Sequence, residues 1–286
     1  MTPSYVRPGS LAEASRLAGE DPWGTKLIAG GTALVLMMRQ GLAAPDQLVS
    51  LAGIDGLEGI EETTEGLSIG AAETLSEVAD SELVRTTVPA LAETCAVVAN
   101  VRIRNVATLG GNVAEADYAS DPPAMLIALG ARCEVMGPEG TRNVAVSDII
   151  TGLYTVSLEP GEVITRVVVP KPAPGSRSLY IKYKSRSSED RPCVGVACSA
   201  TPTADGTVAA LSVVVGAVAA VPQHFPDVLS ATVGRQLDEA LAAEVAEAYA
   251  ERIDPIDDLR GSAWYRTRLI GVLVRRGLMQ LAGGRS

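Results

Sequence analysis

The chain has 286 residues, 47% of them hydrophobic and 20% charged, enough to bury a sizeable core and divide into two or three compact units. A net charge of -10, from 34 acidic against 24 basic residues, gives nucleic acid no electrostatic reason to bind. One histidine, His224, in the loop Pro222-Gln223-His224-Phe225-Pro226, and four scattered cysteines, Cys95, Cys133, Cys193 and Cys198, argue against a hydrolase triad, a multi-histidine metal centre and a disulfide framework.

The chain opens on Met1-Thr2-Pro3-Ser4-Tyr5, without the basic and apolar regions of a signal peptide. No apolar run reaches the roughly 18–20 residues of a membrane span, so a cytoplasmic protein is expected. Residues 1–57 read as Leu11 to Leu17 helical, Lys26 to Ala29 a strand, Ala33 to Arg39 helical and Gln47 to Leu51 a strand, a β-α-β unit with Gly30-Gly31 at its strand-to-helix junction.

Residues 58–175 are mixed. Leu67-Ser68-Ile69 reads as a strand and Ala90 to Ala99 as an apolar helix. Val101 to Ala107 is an apolar, β-prone run before a second glycine pair, and Arg132 to Val146 is a hairpin turning at Gly137-Pro138-Glu139-Gly140. The strand Val163 to Val169 stops at a proline-rich stretch, Pro170 to Gly175, which marks a boundary. In residues 176–286, Cys193 to Ala200 and Thr207 to Val215 form a hairpin about Asp205-Gly206. Leu237, Leu241, Val245 and Tyr249, then Tyr265, Leu269, Val272 and Leu273, carry helical periodicity, with Arg268, Arg275 and Arg276 left to solvent or a partner.

Two segments carry the chemistry, Ala29-Gly30-Gly31-Thr32 and Thr108-Leu109-Gly110-Gly111-Asn112. Glycine lets backbone N–H groups approach an anion with no Cβ in the way, and a following helix N-terminus adds partial positive charge. Alone, Gly30-Gly31 is no more than a tight turn. Two such loops can hold one diphosphate from both sides, and around the second stand Asp117, Ser120 and Asp121, carboxylates and a hydroxyl suited to sugar hydroxyls. That combination points to a dinucleotide. The absence of G-x-G-x-x-G and G-x-x-x-x-G-K-[ST] argues against a Rossmann or P-loop site for it.

The segments A-G-G-T and I-R-N-x-A-T-L-G-G-N-x(8)-D resemble the FAD-binding medium subunit of the molybdenum hydroxylases. This is the family of bacterial carbon monoxide dehydrogenase, xanthine dehydrogenase, and the N-heterocycle and aldehyde dehydrogenases. The resemblance spans nearly the whole chain, including the tail Asp257-Asp258-Leu259-Arg260-Gly261-Ser262-Ala263-Trp264-Tyr265-Arg266. It implies an α+β fold: a two-part FAD-binding module of the vanillyl-alcohol-oxidase (PCMH) type, followed by a C-terminal antiparallel sheet plus helical bundle. By the same resemblance, Lys26, Leu27, Ile28, Ala29, Gly30, Gly31, Thr32 and Ala33 line the pyrophosphate and ribityl chain. Ala99, Thr108, Gly110, Gly111, Asn112, Asp117 and Asp121 complete the cradle, and Ile164 packs on the flavin. Lys182 sits near the isoalloxazine, where a cation stabilises the negative charge of the reduced ring; Lys184 takes that role if the register differs by two, and a basic surface strand is the bland alternative.

Ala33 replaces the Asp or small polar residue common in relatives, which removes one hydrogen bond to the cofactor. Thr32-Ala33 also differs from the Gln or Ser of the carbon monoxide enzymes, which counts against that substrate, and no cysteine-rich insertion is present for an extra cluster. The implied role is electron transfer with no catalytic residue on this chain. A large subunit carries molybdopterin, a small one carries two [2Fe-2S] clusters, and NAD, oxygen or a quinone accepts the electrons. A self-contained flavoprotein oxidoreductase of the same fold is the alternative, disfavoured by the short third part and by the distance of His224 from both glycine loops in sequence. A protein that has lost FAD is disfavoured by the intact glycine segments.

Overall fold

The computed structural model describes residues 2–187 and 191–283; Met1 of the N-terminal segment and residues 188–190 and 284–286 of the third part lie outside them. The chain begins with β1 (Ser4–Val6), α1 (Leu11–Glu20), β2 (Thr25–Ile28), α2 (Leu34–Arg39) and β3 (Gln47–Ser50). β3 pairs in parallel with both β1 and β2. The three-residue β1 is too short to be read from its pattern.

The Ser10 side chain accepts from the Glu13 amide and starts α1, which buries Ala14 against Val49, Ile54 and Leu57. The helix α2 differs. Its sequence, Leu-Val-Leu-Met-Met-Arg, is apolar, yet none of its residues is buried. Leu34, Leu36 and Met37 instead line the cavity described below.

Next come β4 (Ile60–Glu62), β5 (Gly66–Gly70), α3 (Leu75–Asp80), α4 (Glu82–Thr87), α5 (Pro89–Ala96), α6 (Val101–Arg104), α7 (Leu109–Glu115) and α8 (Pro122–Ala128). They are followed by β6 (Arg132–Gly137), β7 (Gly140–Ala145), α9 (Val146–Ile149), β8 (Ile150–Gly152), β9 (Thr155–Val156) and β10 (Val163–Pro170). The five-stranded sheet runs β4-β5-β10-β6-β7, antiparallel throughout. Leu67, Ile69, Val135, Val167 and Val169 of its strands meet Leu75, Leu91, Leu109, Met125 and Leu126 of the helices in the main core.

Two expectations need correction here. Val101 to Ala107 is not extended: the Asn100 side chain accepts from the Ile103 amide at 3.1 Å and starts α6, overriding the β-branched residues. The helix read to Ala99 ends at Ala96, and Ala99 adopts φ +41°. As a result Gly110-Gly111 lies inside the first turn of α7, capped by Thr108, and not in a strand-to-helix loop.

The last part contains β11 (Arg177–Tyr183), β12 (Val194–Pro202), β13 (Val208–Gly216), α10 (Pro226–Ser230), α11 (Glu239–Arg252) and α12 (Ala263–Leu281). The sheet β11-β12-β13 is antiparallel. Strand alternation splits β11: Leu179, Ile181 and Tyr183 pack in the core shared with α11 and α12, while Tyr180 packs with the main core and Lys182 turns to the cavity. Ala197 and Val214 also belong to the main core, so this sheet is anchored against the preceding helices.

The buried stripe of α12 is Arg266, Ile270, Leu273, Val274, Leu278 and Leu281, one residue on from the expected series, and Val272 is 54% exposed. A fully buried arginine hid the register from an apolar-periodicity reading. All four cysteines are buried thiols. Among the described residues, no helix is long and apolar enough to cross a membrane.

Candidate dinucleotide site

A cavity of about 850 Å³ lies between the first sheet, α7 and β11, within the range of roughly 300–1,000 Å³ for small-molecule sites. One wall follows β2 through Lys26, Leu27, Ile28, Ala29, Gly30, Gly31, Thr32 and Ala33 into α2. Another is formed by Ala99, Thr108, Gly110, Gly111, Asn112, Asp117 and Asp121, with Ile164 of β10 and Lys182 of β11 closing the space. Every residue singled out from the sequence for the cofactor thus borders this cavity, although they come from segments more than 150 residues apart in the chain.

The two glycine segments do different work. Among the described residues, the backbone N–H groups of Gly30, Gly31, Thr32 and Ala33 have no hydrogen-bond acceptor in the protein. In the second segment the amides from Leu109 to Asn112 are all committed. Leu109 N–H donates to the Glu73 carbonyl, Gly110 to Ala71, Asn112 to Thr108, and Gly111 to Thr108 Oγ1. The first loop therefore offers donors to an anion, and the second offers a surface without side chains.

Gly30 is also required by packing. A Cβ there would stand 2.7 Å from the Val106 carbonyl carbon and 3.1 Å from Ala107 Cα, so the first loop is seated directly on the backbone that leads to the second. Gly110 meets Ala71 in the same way, its Cβ position lying 2.9 Å from the Ala71 carbonyl oxygen.

At the β11 end, the Lys182 ammonium donates to Asp121 Oδ2 at 2.8 Å and to the Val97 carbonyl at 2.9 Å. The side chains of this ion pair are only 5% and 3% exposed. Tyr180 donates to the other Asp121 oxygen at 2.8 Å. Burial pushes the Asp121 carboxyl above its ordinary value, and Lys182 and Tyr180 oppose that shift. Burial, reinforced by Asp121, raises the Tyr180 hydroxyl well above its ordinary range, so it remains a donor. Lys182 pairs across the sheet with Gly195 and lines the cavity, whereas Lys184 follows the end of β11.

The rim adds groups the sequence reading passed over. Arg191 pairs with Asp117 at 2.6 Å. Burial and the neighbouring Asp117 raise the Glu115 carboxyl, and Tyr154 completes the rim at φ +51°. Strand alternation two residues before Lys182 was the available signal for Tyr180; nothing local marked Arg191. His224 is half-buried outside the lining, and burial lowers its pKa. Among the described residues, no cluster of His, Cys, Asp and Glu could hold a metal ion.

Residues 1–172 match the FAD binding domain in molybdopterin dehydrogenase, and residues 179–281 match the CO dehydrogenase flavoprotein C-terminal domain. The carbon monoxide dehydrogenase medium chain of Afipia carboxidovorans is 37% identical over 278 residues, covering 96% of this chain and 94% of that one. Among solved structures, reconstituted CO dehydrogenase from Oligotropha carboxidovorans superposes with a TM-score of 0.93 at 33% identity over 99% of both chains. Quinoline 2-oxidoreductase from Pseudomonas putida 86 superposes with a TM-score of 0.91 at 31% identity, covering 99% of this chain and 98% of that one.

Proposed function

The chain belongs to the FAD-binding medium subunits of the molybdenum hydroxylases, the carbon monoxide and xanthine dehydrogenase type, and on that premise we propose that it accepts electrons from [2Fe-2S] clusters of a small partner subunit and passes them to an external acceptor. The observation that carries this reading is the run of unpartnered N–H groups at Gly30–Ala33 on the wall of a cavity that also has apolar surfaces. That donor set fits a diphosphate flanked by ring systems. FAD, when bound, supplies reversible one- and two-electron redox chemistry.

In this assignment the Gly30, Gly31, Thr32 and Ala33 amides hold the diphosphate. Lys26 adds a positive charge on the same wall. Gly110 and Gly111 admit the cofactor closely. Leu34, Met37, Leu57 and Ile164 would exclude water from the rings, and Lys182, held by Asp121, would supply positive charge to the isoalloxazine. The substrate is then transformed on a large molybdopterin subunit. NAD, oxygen or a quinone is the acceptor, in a cytoplasmic heterotrimer.

Similarity at comparable levels to a carbon monoxide and a quinoline enzyme fits a substrate pocket on another chain, and gives the Thr32–Ala33 difference no weight against carbon monoxide. We divide the chain into FAD subdomains 1–57 and 58–175 and a C-terminal domain 176–286. Mixing the FAD-loaded chain with the pre-reduced iron-sulfur subunit should bleach the flavin absorbance, while organic substrates added to the chain alone should not. Bleaching by a substrate without the partner would replace this reading with a self-contained flavoprotein oxidoreductase.

A further inference from the structure

The loop Asp117 to Asp121 lies within the region matched to the FAD binding domain, yet three of its side chains find their partners beyond residue 176. Asp117 pairs with Arg191 at 2.6 Å, and Asp121 accepts from Tyr180 and Lys182. Tyr118 donates to Asp258 Oδ2 at 2.7 Å and accepts from Arg260 at 2.8 Å. The backbone follows the same pattern, since the Ala217 amide donates to the Tyr118 carbonyl at 3.0 Å.

The far end of the Tyr118 contact is itself immobilised. Asp258 Oδ1 accepts from the amide of Arg260 at 2.7 Å, from Arg266 at 2.8 Å and from the amide of Gly261 at 3.3 Å. Arg266 is fully buried and also donates to the carbonyls of Cys193 and Ile256. Such a network favours one geometry, because moving Asp258 takes the counter-charge from the fully buried Arg266 guanidinium. Asp117, Ser120 and Asp121 border the cavity, whereas Tyr118, Ala217 and Asp258 do not. Residues behind the wall therefore fix where the wall stands.

We propose that Tyr118 and Asp258 form a positioning latch through which the C-terminal third of the chain sets the Asp117–Asp121 wall of the cofactor cavity, so that FAD binding and docking of that third stabilise each other. The proposal rests on the FAD reading above. Because a ligand that binds only the docked arrangement stabilises it, and docking strengthens the ligand's binding in return, the coupling is visible from both sides.

Hydrogen exchange on the full chain, with and without saturating FAD, provides the test. FAD should slow exchange at the amides of Ala217, Arg260 and Gly261, none of which borders the cavity. Tyr118→Phe should weaken FAD binding about tenfold and abolish that distant protection. Tyr249→Phe is the control, because its hydroxyl serves Val213 and Phe225 in the same third of the chain and no residue of the loop. At a matched loss of melting temperature it should leave FAD affinity within about twofold of wild type. Absence of FAD-dependent protection in wild type overturns the proposal, as does a Tyr249→Phe variant that loses as much FAD affinity as Tyr118→Phe. A wild-type chain that takes up no FAD overturns the FAD reading and this inference with it.

Discussion

Replacing Lys182 by methionine separates the electrostatic role of the lysine from its structural one. The side chain keeps roughly its length, but Asp121, 3% exposed in its ion pair, loses the ammonium 2.8 Å away and keeps the Tyr180 hydroxyl and the weaker pull of the Lys184 charge. Breaking one partner of a buried pair costs about 3–5 kcal/mol. In a chain of this size that corresponds to a fall in melting temperature of roughly 6–20 °C near neutral pH. The cost depends on pH with a fixed sign. The folded-state pKa of Asp121 is already raised by burial, and without Lys182 it rises further, so ionisation penalises the folded variant as pH climbs from the ordinary value of 3.8 through the raised one. The deficit against wild type should accordingly be largest at neutral pH and shrink on acidification. Adding Asp121→Asn should recover most of the lost stability by removing the stranded charge. Thermal melts of wild type, Lys182→Met and the double variant between pH 4 and pH 8 measure all three effects. A single variant whose melting temperature matches wild type at every pH would refute the buried-pair argument. The flavin midpoint potential adds a second reading. It should become more negative, by about 30 mV per 1.4 kcal/mol of differential stabilisation lost, only where Asp121 stays ionised.

Gly30→Ala should cost about 3 kcal/mol or more and abolish FAD uptake, since its Cβ meets backbone that cannot move cheaply. Gly111→Ala places its Cβ 2.7 Å from the rotatable Thr108 Oγ1, so losing that cap offsets the gain in helix propensity and the net change stays within about 1 kcal/mol; calorimetry and flavin titration rank the two, and equal effects would contradict the packing argument. For Asp258, burial opposes ionisation, but Tyr118, the Arg260 amide and Arg266 outweigh it and bring the carboxyl down to about 2. Its ionised form therefore stabilises the fold above the ordinary pKa of 3.8 by about 2 kcal/mol, and that contribution is lost as pH falls from about 4 to 2. Acid titration of Asp258→Asn should show a correspondingly flatter loss of stability over that interval, and an unchanged profile would argue against the latch geometry.

The parts of the site legible in the sequence were those where backbone chemistry dictates the residue. Glycine was needed at Gly30 for a close backbone approach, whereas Thr108, assigned from the sequence to the cradle, also caps α7, which its segment did not announce. Lys182 came from the family resemblance, because strand alternation gives residues 182 and 184 the same face and does not choose between them; the structure puts Lys182 in the cavity lining and Ile181 and Tyr183 in the core on the other side of β11. The division of labour between the glycine loops was not legible, because it depends on whether Ala71 and Glu73, dozens of residues earlier, take up the second loop's amides. Local preference also misled at α6, where one asparagine cap outweighed three β-branched residues. The stripe of α12 was misplaced by one residue because Arg266 is buried through carbonyls and a carboxylate supplied from elsewhere. The contact between Tyr118 and Asp258 joins residues 140 apart in the chain, a distance over which no spacing rule operates.

The central claim is tested most directly by the chromophore of the purified chain. Acid precipitation should release a yellow flavin into the supernatant, and phosphodiesterase should convert it to FMN, as required of FAD held without a covalent bond in the Gly30–Ala33 cavity. A colourless chain that takes up no added FAD, or a flavin that stays with the precipitate, would contradict the account.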